Sequence, residues 1–119
     1  MKSKTVTIAS GGTTSAELDY SDLEAAGYAP IRVDMPAALD TANFTFQIDD
    51  GGGYGTLRDE GVTYQLASVA AGARISLTPR LFLATRKLKI VSSVTQSADR
   101  VMTVIFAPVA PRLGGGRVG

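Results

Sequence analysis

Short runs of alternating apolar and polar residues, each cut off by glycine or proline, constrain this chain more than any other feature. Val6 and Ile8 alternate with Thr5 and Thr7, and Ile31, Val33 and Met35 with Arg32 and Asp34. Phe44, Phe46 and Ile48 alternate with Thr45 and Gln47, and Val62, Tyr64 and Leu66 with Thr63 and Gln65. Ile75 and Leu77 flank Ser76, and Leu88 and Ile90 flank Lys89. Side chains of a strand point alternately to opposite faces, so each run reads as a strand with one apolar and one wetter face. The last run, Arg100 to Ala107, carries Met102, Val104 and Phe106 on one face and Val101, Thr103 and Ile105 on the other. Apolar residues on both sides predict a central strand or a covered outer face.

Breaks fall at Ser10-Gly11-Gly12, Gly27, Pro36, Asp49-Asp50-Gly51-Gly52-Gly53, Gly61, Gly72 and Thr78-Pro79. Two segments have helical character. Ser21 to Ala26 opens on residues able to cap and stops at Gly27. Pro79 to Ala84 suits a 3₁₀ turn that plugs one end of the fold. The pattern predicts seven to nine short strands and no helix long enough to cover a sheet. Two sheets must then cover each other, so the expected fold is an all-β antiparallel sandwich.

At 119 residues the chain is one domain's worth of sequence. A domain of this size buries roughly 65% of the surface its unfolded chain exposes, enough for one core. Residues 1–109 are expected to form the domain. Composition changes from Pro108 onward, with Pro111, Gly114, Gly115, Gly116 and Gly119 following, and residues 110–119 read as a tail. That tail is either a frayed end or an arm that orders on a neighbouring subunit, with Arg112 and Arg117 as anchors and Leu113 as an apolar plug.

The chain has no cysteine and no histidine. Disulfides, thiol nucleophiles, Cys/His zinc sites and imidazole bases are therefore excluded. Carboxylate, lysine or tyrosine chemistry, oxygen-ligated metals, or no chemistry remain. No apolar stretch follows Lys2 and Lys4 at signal-peptide length, and no run reaches the length of a membrane span.

Charge is divided along the chain. Residues 1–60 hold ten acidic and four basic residues, and residues 61–119 hold eight basic residues and Asp99. Either the two parts neutralise each other as neighbouring strands, or the surface is bipolar and suited to stacking on copies or on a charged partner. Arg80, Arg86, Lys87 and Lys89 are the candidate contact cations. Nucleic acid is not the expected partner, because a specialised binder carries a basic excess with interleaved aromatics and this chain is nearly neutral.

Candidate chemistry is sparse. Asp49-Asp50 before a glycine-rich turn offers oxygen ligands for calcium, but the alternating acids and terminal glutamate of an EF-hand are missing. A hairpin connection is the simpler reading. The same glycines lack the Gly-Lys-Ser/Thr ending and following helix of a phosphate cradle. Asp59 and Glu60 are neighbours, so on a strand they point opposite ways and cannot alone form a glycosidase couple. Tyr20, Tyr28, Tyr54 and Tyr64 read as core or rim residues, or as platforms for a sugar. No cofactor and no catalysis are expected.

Across residues 4–109 the chain resembles a family of small structural proteins of tailed phages. The resemblance is carried by the ordered set Thr7-Ile8-Ala9-Ser10-Gly11-Gly12-Thr13-Thr14-Ser15, Ile31-Arg32-Val33-Asp34-Met35-Pro36-Ala37-Ala38, Asn43-Phe44-Thr45-Phe46-Gln47, Ile75-Ser76-Leu77-Thr78-Pro79 with Phe82, Arg86-Lys87-Leu88-Lys89-Ile90 and Gln96-Ser97-Ala98-Asp99-Arg100. The turn Gly51-Gly52-Gly53-Tyr54-Gly55 departs from the Asp-Gly-Thr-Phe-like turn of the family, as does the glycine-rich tail. The resemblance implies a jelly-roll-like sandwich in the virion, made in the host cytoplasm and placed on the capsid surface. It implies a decoration or cement protein that binds the major capsid protein and forms a homo-oligomer, a trimer being favoured. A place at the head–tail connector or in the tail is the nearest alternative, and a carbohydrate-binding module is the alternative of another class.

Overall fold

A computed structural model describes residues 1–49 and 51–109. They form eleven strand segments, one short helix and one 3₁₀ turn. In chain order these are β1 (Lys2–Ile8), β2 (Leu18–Asp19), α1 (Ser21–Ala25), β3 (Tyr28–Asp34), β4 (Ala42–Asp49), β5 (Tyr54–Thr56), β6 (Arg58–Asp59), β7 (Val62–Thr63), β8 (Gln65–Val69), β9 (Arg74–Ser76), the 3₁₀ turn (Pro79–Phe82), β10 (Lys87–Ser92) and β11 (Arg100–Pro108). The excess over seven to nine strands lies in the two-residue segments β2, β6 and β7, too short to leave an alternating signature.

The first sheet has the order β1-β11-β3-β9, and the second β2-β10-β4-β5, with β8 also on β4. All pairings are antiparallel. β5 and β8 lie on the same edge of β4: Tyr54 to Thr56 face Asp49 to Gln47, and Gln65 and Leu66 face Thr45 and Phe44. The two are one edge strand interrupted at Leu57 and Tyr64, where the Leu57 amide donates to the Phe46 carbonyl and the Tyr64 amide to the Leu57 carbonyl. Between them the β6–β7 hairpin stands out from the edge. Counted this way, eight strands wrap in the order 1-8-3-6 over 2-7-4-5. That is a jelly roll, in which nearly every connection crosses from one sheet to the other.

The alternation explains the layers. Val6, Ile8, Val33, Phe44, Phe46, Leu88, Ile90, Met102, Val104 and Phe106 are buried between the sheets. Phe46 meets Phe82 edge-on at 5.4 Å between ring centroids, so the 3₁₀ turn does plug one end. Tyr20 packs on Phe106 at 5.3 Å and shares a hydrogen bond with Thr85. Each fully buried phenylalanine contributes about 1.5–3 kcal/mol. β11 is central, as its two apolar faces predict, but its outer face is only partly covered and Val101 remains 48% exposed. α1 runs from Ser21 without a side-chain cap of its own; the Asp19 carboxylate accepts from the Ser21 amide and hydroxyl instead.

Candidate functional site

The four candidate cations in the described residues lie on or beside the second sheet. Lys87 and Lys89 alternate with buried Leu88 and Ile90 on β10, so both ammonium groups lie on the outer face. Lys87 stands in register between Asp19 of β2 and Asp49 of β4, and its ammonium lies 3.8 Å from Glu17. The Tyr54 ring passes beneath the Lys89 ammonium, 4.6 Å from its centroid, and the phenol donates to Glu17 at 2.6 Å. Burial, reinforced by the Glu17 bond, pushes the Tyr54 phenol well above its ordinary range. Lys87, Glu17, Tyr54 and Lys89 thus form a linked polar chain that ties β10 to β5 and to the residue before β2.

Arg80, on the 3₁₀ turn, places one guanidinium nitrogen 3.3 Å from both oxygens of Asp59 in the outstanding hairpin. Arg86 is exposed, and its side chain has no partner among the described residues. Arg112, Leu113 and Arg117 lie outside the described residues. Three ion pairs, Arg80–Asp59, Lys87–Glu17 and Arg100–Asp40, join the acidic part of the sequence to the basic part. Mutual neutralisation within the fold therefore offsets part of the asymmetry, three acids against three bases.

The outer face of the first sheet is different. On β1 and β11 the outward pairs are Ser3–Ile105, Thr5–Thr103 and Thr7–Val101, none of them charged. The nearest charges on β3, Arg32 and Asp34, bond to each other at 2.8 Å.

Asp49 turns its carboxylate into its own loop and accepts from the amides of Gly51 at 2.6 Å and Gly53 at 3.3 Å. This is turn chemistry, with both glycines at positive φ. Asp50 lies outside the described residues. Among the described residues no group of three acidic side chains gathers in metal-binding geometry. Glu60 and Gly61, at φ 52° and 85°, form the two-residue loop of the β6–β7 hairpin, so Asp59 and Glu60 serve a turn.

Sequence reasoning missed a polar knot at the other end of the sandwich. Gln96 is fully buried. Its amide nitrogen donates to the Asp40 carbonyl and the Ser92 hydroxyl, and its oxygen accepts from the Asp40 amide and Arg100 Nε. Arg100 reaches Asp40 at 3.0 Å, and Ser97 donates to the same carboxylate through its hydroxyl and its amide. These bonds hold the Asp40 carboxyl below the usual range, the Ser97 hydroxyl contributing most. The only trace in the sequence is the polar run Gln96 to Arg100 just ahead of an apolar strand.

No protein-family model, curated protein or solved structure matches this chain.

Proposed function

We propose that this chain is a non-enzymatic structural protein of a tailed-phage virion, a decoration or cement protein that binds the major capsid protein and assembles as a trimer on the capsid surface. The reading rests on the ordered sequence segments of the phage resemblance together with the jelly-roll wrap. One observation carries the choice of surface: the outer face of the second sheet is engaged by its own ion pairs, while the outer face of β1 and β11 is uncharged. On the second sheet, Lys87 and Lys89 already have partners within the chain, Glu17 and the Tyr54 ring. The β1–β11 face can be covered by a partner without stranding a charge. Small contacts of this kind suffice on a capsid, where many copies are held at high local concentration.

Native mass spectrometry followed by co-sedimentation with tailed-phage heads tests the reading. A trimer that saturates the heads supports it, and Val101→Lys, at an exposed position on the uncharged face, should weaken attachment without lowering the melting point. A strict monomer that ignores heads and binds glycans on an array would replace it with the carbohydrate-module reading.

A further inference from the structure

The β6–β7 hairpin and a pocket beside α1 are joined through the 3₁₀ turn. Val62, in β7, is 70% exposed, the most exposed large apolar side chain in any strand of the described residues. It lies directly opposite Asp59, so the two side chains share one face of the hairpin. Arg80 bonds to Asp59 from the 3₁₀ turn, Arg58 donates to the Gly61 carbonyl, and Glu60 and Gly61 take the positive φ that a tight two-residue loop requires. The valine is thus presented on an arm that is held in place. Three residues beyond Arg80, Leu83 and then Ala84 join Tyr28, Phe82 and Val109 around an apolar pocket of about 110 Å³, with Glu24 of α1 lining one side. Leu83 is 52% exposed there.

We infer that the pocket receives Val62 of a second copy of this chain, with Arg58 of the incoming hairpin on Glu24 and Glu60 on Arg86. Charge complementarity selects this occupant. Arg58 and Glu60 form no ion pair among the described residues, and neither do Glu24 and Arg86. The hairpin therefore carries an uncommitted cation and anion beside its valine, and the pocket side carries an uncommitted anion and cation. Arg86 follows Ala84 by two residues, and its carbonyl accepts from the Tyr20 amide just ahead of α1, which bears Glu24. A purely apolar occupant would strand the Glu24 charge, whereas this arm brings Arg58 to it. The volume suits one branched aliphatic side chain, being smaller than the ~150 Å³ apolar cavity that accepts benzene. Val62 does not wall the pocket of its own chain, so the knob is free for another copy. Knob and hole are different surfaces of one chain, so the contact is head-to-tail and closes as a ring when the rotation allows. Such a ring would give the proposed trimer its contact, but the inference does not rest on the virion reading.

Sedimentation velocity of the full chain from about 10 μM to 1 mM tests it. The parent should assemble as its concentration rises. Val62→Lys removes the knob and Leu83→Lys blocks the hole. Both positions are exposed, so each variant should keep the parent's melting point while weakening assembly roughly tenfold or more. The two variants mixed retain one intact knob and one intact hole, and should form a one-to-one complex that neither forms alone. Arg58→Glu should weaken assembly, and adding Glu24→Arg should restore it. A parent that stays monomeric throughout, assembly that survives Val62→Lys, or a mixture that stays monomeric would each overturn the inference. Assembly through Val62 in a protein that ignores phage heads would sink the virion reading and leave this contact standing. Assembly that is lost in Val101→Lys and kept in Val62→Lys would do the reverse.

Discussion

Gln96 shows how much a single polar side chain can hold when every one of its hydrogen bonds is made. Its amide serves Asp40, Ser92 and Arg100, and its main chain bonds Gly11 and Gly12, so three loops meet on one residue. Buried polar groups are costly only when a partner is removed. Gln96→Leu keeps the approximate volume and strips four hydrogen bonds at once. It should cost about 2–4 kcal/mol, read from urea denaturation; a loss below ~0.5 kcal/mol would mean that the loops hold together without it. Asp40 gives the same knot a pH signature. Its folded carboxyl titrates lower than an unfolded one at about 3.9. The stabilisation is therefore complete above that value and is lost as pH falls through the folded pKa. Asp19, held low by the Ser21 amide and hydroxyl, acts in the same direction. Asp40→Asn should lower stability at pH 7 and make its decline between pH 4 and 2 shallower than in the parent, with Asp19 supplying the remaining slope. Parallel curves for the two proteins would show that Asp40 contributes nothing through its charge.

Edge strands decide what a sandwich does to its neighbours. The second sheet ends on the β5/β8 edge, which the β6–β7 hairpin interrupts opposite Phe46. An unbroken edge of that length is a template for pairing with another chain, and an outstanding hairpin blocks it. Removing residues 58–63 and joining Leu57 to Tyr64 should leave the core intact, with a bulge of two residues opposite Phe46. The shortened protein should melt cooperatively but self-associate at micromolar concentration in sedimentation velocity; a monomer would show that the hairpin does not guard the edge. This edge also marks where the sequence stopped being legible. Val62, Tyr64 and Leu66 alternate as one strand should, yet the chain breaks between Val62 and Tyr64, because alternation is indifferent to whether a strand lies in a sheet or in a two-residue hairpin. The buried faces of β1, β4, β10 and β11 were legible because each pairs over six or more residues with one side in the core. The cations were legible as residue types. Their engagement was not, since Lys87 meets Glu17 across a register set by strands about seventy residues apart, and no local pattern encodes it. Gln96 was hidden for the same reason: its partners come from loops distant in sequence.

At the scale of the whole molecule, the wrap puts the two ends of the domain side by side. Lys2 pairs with Phe106 and Ile8 with Arg100, so the first and last strands form a seam that can close only after both are made. Non-local pairing of this kind slows folding, because loop-closure entropy is lost before contacts compensate it. The adjacency also makes the seam easy to convert into a hairpin. A short Gly/Ser linker from residue 109 to Lys2, with new ends opened between Glu60 and Gly61, preserves every sheet pairing except the β6–β7 hairpin, which lies outside both main sheets. Such circular permutants are tolerated when the termini lie close and the new break is at an exposed loop tip. The permutant should keep a cooperative transition. It should also refold faster than the parent in stopped-flow experiments, because β1 and β11 become neighbours in sequence. The unfolding rate should change little if the seam is already docked in the transition state, and should carry most of any change in stability if it is not. An unchanged refolding rate would show that the rate-limiting step lies in the second sheet, where β4 must find β10 across the whole β5–β9 region.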